Sequence, residues 1–475
     1  MEYDVTIGIE IHCQLKTATK MFSGAPTSFG RKANTCVNEI DLGHPGTLPE
    51  VNREAVAKAI MACTAFHMDI DTLVKFDRKN YYYSDLAKGF QITQQFHPIG
   101  KNGYVEIDTP EGKKQIRIER IHMEEDTAKQ YHLSKMSLLD FNRAGTPLIE
   151  IVSKPDMKNG QEAEAYVEAL RQTLYYIGVS DCRMEEGSMR CDVNVSIAPK
   201  GADHLGVKNE IKNLNSISNV GKAVDYEVER QKKVLEAGDV VHQETRRFDE
   251  KTQTTIMMRR KEGNVDYKFF PEPNIFPIRL DAEWVKNIQD SMPELPEERK
   301  ARYTKEFGLS EHDIHILIAN KEMSEFFETT TKIAKNPKSV CNWLLSDISA
   351  WLNKHETGIN DCKLTPENLA KLIALVEDGK VSNAQARQLV DDVMDGKDPE
   401  TSAEEKGLKQ VSDTGALQVL VDEVLDSNPQ AIEDFRKGKQ RAVGFLVGQV
   451  MKKSKGQANP SMVASLLKDS LNKRI

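Results

Sequence analysis

The stretch Val5-Thr-Ile-Gly-Ile-Glu-Ile-His-Cys-Gln-Leu15 decides how the N-terminal part of this chain folds. Val5, Ile7, Ile9, Ile11, Cys13 and Leu15 alternate with Thr6, Gly8, Glu10, His12 and Gln14. Successive side chains of a strand point to opposite faces, so this is a half-buried strand with Glu10 and His12 sharing its polar face. Comparable acidic positions recur downstream. Glu124, Glu125 and Asp126 follow Ile121-His122-Met123, and Glu150 interrupts the apolar run Leu148-Ile-Glu-Ile-Val152. Carboxylates gathered in one place repel unless a cation neutralises them. A set of carboxylates with one imidazole suits Mg²⁺ or Mn²⁺ better than zinc.

A chain of 475 residues exceeds the size at which one hydrophobic core stops growing, so two or three domains are expected. Seven cysteines without a Cys-x-x-Cys pair fit reduced thiols in a cytoplasmic protein rather than a disulfide framework. No basic-then-apolar leader opens the sequence, and no apolar run is long enough to span a bilayer. The net charge of −8 argues against a protein coated in nucleic acid. The average hides an asymmetry, because Arg436, Lys437, Lys439, Arg441, Lys452, Lys453, Lys455, Lys468, Lys473 and Arg474 face only Asp469 as an acid over the last stretch. On charge alone such a cluster is equally a solvated surface or a phosphate-binding one.

The pattern divides the chain into three blocks. Residues 1–292 read as α+β, mainly antiparallel strands with helices between them. Met189, Cys191, Val193, Val195 and Ile197 alternate with Arg190, Asp192, Asn194 and Ser196, and a helix is expected from Asn159 to Ile177, capped by Asn159 and Glu162 and stopped by Gly178. Prolines 271, 273, 277, 293 and 296 mark a domain exit. Residues 293–405 read as all-α, with Thr365-Pro366 starting a helix that ends at Gly379 and Ser382 capping the next. The acidic stretch Asp395 to Lys409 reads as a linker, and 406–475 as a small all-α tail with helix starts at Asn428-Pro429 and Asn459-Pro460.

Further candidates for a site lie in strand-ending segments of the first block: Lys79, Lys88, Arg190 with Asp192, and Glu210 with Lys212. No Walker A motif, dinucleotide fingerprint or kinase glycine loop is present.

The strings Gly8-Ile-Glu-Ile-His12, Phe76-Asp-Arg-Lys-Asn-Tyr81, His122-Met-Glu-Glu-Asp126, Asn142-Arg-Ala-Gly-Thr-Pro-Leu-Ile-Glu150, Met184-Glu-Glu-Gly-Ser-Met-Arg-Cys-Asp192 and Lys212-Asn-Leu-Asn-Ser216 resemble the B subunit of the tRNA-dependent Asp/Glu amidotransferases. So do Gln243-Glu-Thr-Arg-Arg-Phe-Asp249, Tyr267-Lys-Phe-Phe-Pro-Glu-Pro273, Pro293-Glu-Leu-Pro296, Gly444-Phe-Leu-Val-Gly448 and Gly456-Gln-Ala-Asn-Pro460, in order along essentially the whole chain. The resemblance implies a glutamine-synthetase-like cradle, a helical domain and a tail domain. It also implies a ligase that forms a carbon–nitrogen bond with glutamine as amido donor. ATP and Mg²⁺ serve to phosphorylate the side-chain carboxylate of Glu-tRNA(Gln) or Asp-tRNA(Asn), and ammonia released by the amidase (A) subunit then displaces phosphate. A small third (C) subunit completes the heterotrimer.

Carried over on matching motifs, Glu10, His12, Glu125 and Glu150 form the metal shell, with Glu125 also catalytic. Asp192 and Glu210 add acidity, Arg190 and Lys212 neutralise phosphate, and Lys79 and Lys88 lie along the route of ammonia. In the tail, Arg441, Lys452, Lys453 and Lys455 are the candidates for tRNA phosphates, while Gly444 and Gly448 read as close helix packing. Cys13, Cys36, Cys63 and Cys182 lack the paired spacing of the zinc site that some members carry. The alternative reading is a non-catalytic tRNA-binding scaffold within the same complex. An archaeal-type relative would need an extra domain before the tail, for which the region near residue 400 leaves no room.

Overall fold

A computed structural model describes every residue of the chain except 1, 28, 261–265, 409–413, 437–440, 455–457, 459 and 475. It divides into two compact units, residues 1–296 and 297–475.

The first unit is built on one sheet of nine strands: β1 (Tyr3–Gln14), β2 (Asp69–Ile70), β3 (Gly100–Thr109), β4 (Gly112–Glu125), β5 (Pro147–Ser153), β6 (Met189–Pro199), β7 (Asn209–Lys212), β8 (Glu244–Asp249) and β9 (Thr254–Arg260). Their order across the sheet is β9-β8-β7-β6-β1-β5-β4-β3-β2. Neighbours are antiparallel except for the parallel pair β7 and β8. The strand quoted at the outset therefore lies in the interior of the sheet, with Glu10 opposite Asp192 of β6 and His12 opposite both Arg190 of β6 and Glu150 of β5.

The alternation of β1 becomes a division between layers. Ile7, Ile9, Ile11 and Cys13 are buried, as are Met189, Cys191, Val193, Val195 and Ile197 of β6. They share one core with α1 (Arg53–Ala65), α2 (Gly160–Tyr176) and α3 (Ile217–Glu236). The start and stop signals act as the sequence suggests. Asn159 Oδ1 accepts the Glu162 N–H at 2.8 Å, and the chain leaves α2 through Gly178 at φ +68°. The Glu162 carboxylate differs from the expected cap: it accepts the Lys158 N–H at 2.8 Å and pairs with Lys114. Gly160 and Gly221 mark the close approach of α2 and α3, since a Cβ on Gly160 would stand 2.5 Å from the Gly221 carbonyl oxygen. Beside the sheet, the short strands Asp77–Asn80, Phe90–Thr93 and Phe270–Pro271 make a three-stranded ribbon that meets the end of β4.

Beneath the outer strands lies a buried ionic knot. The fully buried Glu227 of α3 accepts from Arg230 Nη2 at 2.7 Å, Arg230 Nε at 2.9 Å, Gln231 Nε2 at 2.9 Å, Thr255 Oγ1 at 2.9 Å and Asn209 Nδ2 at 3.2 Å. Arg246 Nε stands 3.4 Å away. One carboxylate thus ties α3 to β7, β8 and β9.

The second unit is helical, and among the described residues no strand follows Ile278–Arg279. Three of its helices begin by one device, a side-chain cap followed by proline at the first helical position: Asn336-Pro337, Thr365-Pro366 and Asp398-Pro399. The second of these helices runs Pro366–Glu377 and exits through Gly379 at φ +67°, and Ser382 forms a reciprocal capping box with Gln385. The Asp398-Pro399 start corrects the linker expected over Asp395 to Lys409. Pro399–Glu405 is a helix that buries Pro399, Ser402 and Ala403 on one side, a stripe too short to stand out in an acidic stretch. Asn428 also differs from its expected role, because its amide donates to the Val424 carbonyl at 2.7 Å and so closes the preceding helix, Thr414–Ser427. Asn459 lies outside the described residues.

Leu417, Val421, Val424, Leu425, Leu446, Val450, Val463, Leu467 and Leu471 form a core of their own near the C-terminus. Gly444 and Gly448 take no part in it. Both are exposed on the helix Arg441–Lys453, and a Cβ on either would meet nothing within 4 Å.

Glu227→Ala leaves Arg230 and Arg246 buried without their shared carboxylate and should cost about 3 kcal/mol, read by urea unfolding of the purified chain. Burial opposes ionisation of Glu227, but the Arg230 hydrogen bonds win and hold its pKa below the ordinary glutamate value. Its contribution is therefore complete above the unfolded-state pKa and lost as pH falls through the lower folded value, so the difference between Glu227→Ala and the parent should shrink in acid.

Candidate active site

The face of the sheet opposite the helices carries the charges. Across β6, β1, β5 and β4 the register aligns Arg190, His12, Glu150 and His122 in one row. His12 Nδ1 lies 3.2 Å from Glu124 Oε1 and 3.8 Å from Glu150 Oε2, and His122 Nε2 lies 3.3 Å from Glu150 and 3.6 Å from Glu124. His12, Glu124 and Glu150 can bring one ligand atom each within 4.8 Å of one another. A neighbouring trio, Glu10, Asp192 and Glu210, does the same.

The electrostatics of the two trios differ. Around Glu124 and Glu150, burial opposes the ionised carboxylates, but the hydrogen bonds and positive charge of His12 and His122 hold both below the usual glutamate range. Burial likewise opposes protonation of His122, and Glu150 and Glu124 overcome it, raising the imidazole to about 9. In the other trio, Lys212 Nζ lies 2.5 Å from Asp192 Oδ2 and 3.1 Å from Glu210 Oε1. Asn194 Nδ2 donates to Glu10 Oε1 at 3.0 Å, and Thr245 Oγ1 donates to Glu210 Oε2 at 3.1 Å. One ammonium does not balance three carboxylates. Glu10 is accordingly pushed above its ordinary pKa, first by burial and then by Glu150, Asp192 and Glu210.

This surplus of negative charge, with oxygen donors and one imidazole converging, fits a hard divalent cation. His122 Nδ1, a buried nitrogen with no hydrogen-bond partner among the described residues, belongs to the same cluster. Glu10, Asp192 and Glu210 on one side and His12, Glu124 and Glu150 on the other are the residues able to hold such an ion.

Glu125 joins neither trio. It lies 2.5 Å from Lys88 Nζ and accepts the Ile92 N–H at 3.0 Å, so it faces the ribbon rather than His12. Lys79 belongs to the same quarter: it is opposite Gln91, whose amide donates to the Glu125 carbonyl at 2.7 Å, and its ammonium lies 4.9 Å from the Tyr267 ring centroid. Glu124 and His122 were legible in principle, because Ile121 and Met123 point into the core and leave 122 and 124 on the polar face. The acidic run by itself gives Asp126 no role. In the structure it accepts from Arg190 Nη2 and Gln14 Nε2, each at 3.0 Å, and so fixes the guanidinium beside the first trio.

In the tail, Arg441 and Lys452 are exposed on the helix Arg441–Lys453. Lys453 is engaged by Glu423, and Lys455 lies outside the described residues. Among the described residues, no helix is long and apolar enough to cross a membrane.

A charged sheet face of this kind, on an α+β unit followed by helices, goes with membership of a family of amidotransferase subunits. Residues 5–286 match the GatB/GatE catalytic domain and residues 325–471 match the GatB domain. Over the full length of both chains the sequence is 50% identical to the B subunit of the aspartyl/glutamyl-tRNA(Asn/Gln) amidotransferase of Geobacillus thermodenitrificans (strain NG80-2). It is likewise 50% identical to that of Staphylococcus haemolyticus (strain JCSC1435) and 49% identical to that of Bacillus cereus (strain B4264), each over the whole of both chains. The chain belongs to this family of amidotransferase B subunits.

Lys212→Met removes the ammonium from among Asp192, Glu210 and Glu10. It should lower stability by about 1–2 kcal/mol, seen as a fall in Tm by calorimetry, and millimolar Mn²⁺ should recover much of the loss.

Proposed function

We propose that this chain carries out the ATP-dependent amidation of Glu-tRNA(Gln), Asp-tRNA(Asn) or both, and that the sheet face bearing the two acidic trios is where it does so. The observation that carries the reading is the convergence of Glu10, Asp192 and Glu210 with His12, Glu124 and Glu150 on one face of a chain of this family. The residues support a two-step ligase chemistry. The side-chain carboxylate of the esterified amino acid attacks the γ-phosphorus of ATP, forming an acyl phosphate and releasing ADP. Ammonia then adds to the activated carbonyl, and inorganic phosphate leaves as the amide forms. Activation is needed because a free carboxylate offers ammonia no adequate leaving group.

Mg²⁺ bound by these carboxylates would supply charge neutralisation on the phosphate oxygens. The chain's own cations act beside it. Arg190, aimed by Asp126, and Lys212, set between Asp192 and Glu210, are placed to meet phosphate charge. Lys79 and Lys88, with Glu125, line the ribbon side of the site, where ammonia from the amidase (A) subunit would enter. The working enzyme would be a heterotrimer with that amidase and the small C subunit. We assign 1–292 to a catalytic cradle, 293–405 to a helical domain and 406–475 to a tail that holds the tRNA body through Arg441, Lys452, Lys453 and Lys455.

In the reconstituted heterotrimer, with ammonium replacing glutamine, Glu10→Gln and Glu150→Gln should lower Gln-tRNA(Gln) formation at least about 100-fold, or ~2.7 kcal/mol. Glutaminase turnover should be retained, and Mn²⁺ binding read by electron paramagnetic resonance should weaken in parallel. Amidation at the parental rate would leave the trios as structural groups and make the chain a tRNA-binding scaffold.

Replacing Arg441 and Lys452 by Ala should weaken tRNA binding and flatten the dependence of log K on log[salt] by about 1–2, with the KM for ATP unchanged.

A further inference from the structure

The charged face does not end at Lys212. The parallel pairing of β7 and β8 sets Glu210 opposite Thr245 and Lys212 opposite Arg247. Across β8 and β9, Arg247 faces Ile256 and Arg246 faces Met257, but the register then slips by one residue and Thr245 faces Arg259 rather than Met258. A bulge of this kind reverses which face the following residues take. With unbroken alternation Arg259 would lie on the helix side; with the slip it shares the site face with Thr245, whose hydroxyl holds Glu210.

The two faces of this strand pair use their arginines differently. On the helix side, Arg246 and Arg260 are committed: Arg246 Nη1 lies 2.5 Å from Glu244 and its Nη2 donates to the Thr255 carbonyl, while Arg260 Nε is 3.5 Å from Glu244. On the site side, the Arg247 side chain is 45% exposed and, among the described residues, has only Asp249 at 3.8 Å as an ionic partner. Arg259 is exposed, and its side chain has no ion pair or hydrogen bond among the described residues. Arg190, Lys212, Arg247 and Arg259 therefore supply one cation from each of β6, β7, β8 and β9, a row that starts at the acidic trios and ends at the sheet's last strand.

We propose that Arg247 and Arg259 bind consecutive phosphates of a single-stranded nucleic acid end, the aminoacylated 3′ strand of the tRNA, and lead it along the sheet to the trios. This rests on the amidation reading given above and identifies which surface of the first unit meets the RNA. Strands are about 4.8 Å apart, so Arg259 stands roughly two strands beyond Lys212, past the phosphates of a nucleotide seated at the trios. The row also runs to the last strand of the sheet, which suits a polymer passing over it rather than a small ligand enclosed by walls. Guanidinium groups on this spacing contact backbone charge without reading bases.

The test is tRNA binding by the reconstituted heterotrimer as a function of salt, with R247Q/R259Q and R247K/R259K beside the parent. The glutamine pair should raise the Kd for tRNA about 10-fold near 0.1 M salt and reduce the slope of log K against log[salt] by about 1.4, at ~0.7 for each single-strand phosphate no longer neutralised. The KM for ATP should not move, and the lysine pair should restore most of the affinity and slope. An unchanged slope with the glutamine pair overturns the proposal, as does a rise in the KM for ATP with tRNA affinity intact, which would assign the arginines to the nucleotide. Loss of affinity that the lysine pair fails to restore, with a lowered Tm, also overturns it in favour of a structural role. Absence of amidation by the parent heterotrimer would instead refute the underlying functional reading, whatever the binding data.

Discussion

Glu124, Glu150, Glu10, Asp192 and Glu210 come from β4, β5, β1, β6 and β7, five consecutive strands that each place one carboxylate on the same face. Five acids held that close repel one another, and burial adds to the cost of keeping them ionised. The chain answers with His12 and His122 on one side and Lys212 on the other, yet Glu10 is still held above its ordinary pKa. The surroundings of the site follow from this imbalance. Arg190 is restrained by Asp126, Asn194 is turned toward Glu10, and Thr245 is turned toward Glu210. A rigid sheet backed by three helices keeps the acids from relaxing apart, which is what a cation-binding face requires.

The strand pattern of the sequence carried most of this, because a half-buried strand states its two faces in its own alternation. Val5 to Leu15 and Met189 to Ile197 fold as read, and Glu10 and His12 take the polar face. Local signals with one physical meaning also act as expected: Asn159 as a cap, Gly178 and Gly379 as left-handed exits, and proline after a capping residue. What the alternation could not supply was the pairing between strands. Whether 124 or 125 meets His12 depends on which apolar pair sets the parity of β4: Ile121 and Met123 leave 124 on the polar face, whereas Ile116 and Ile118, carried on without the register shift opposite Val152 and Ser153, would leave 125 there.

The remaining differences have similar causes. The helix Pro399–Glu405 hides only three small buried side chains in an acidic segment, so its composition reads as linker. Gly444 and Gly448 have the spacing of a helix contact, but spacing cannot reveal what the surface meets, and among the described residues nothing lies within 4 Å of a Cβ on either.

The position of β1 has a consequence for how this protein is made. It leaves the ribosome well before either of its sheet neighbours, Pro147–Ser153 and Met189–Pro199. At about 5–20 residues per second, the central strand waits on the order of ten seconds or more before both partners have been synthesised. Throughout that interval a strand of twelve residues with one apolar face has at least one edge unsatisfied, the condition under which nascent chains pair with the wrong neighbour. The acidic face is completed later still, because Glu210 must arrive before the charge arrangement is whole. Protection of this nascent strand is thus a demand that the topology itself places on the cell.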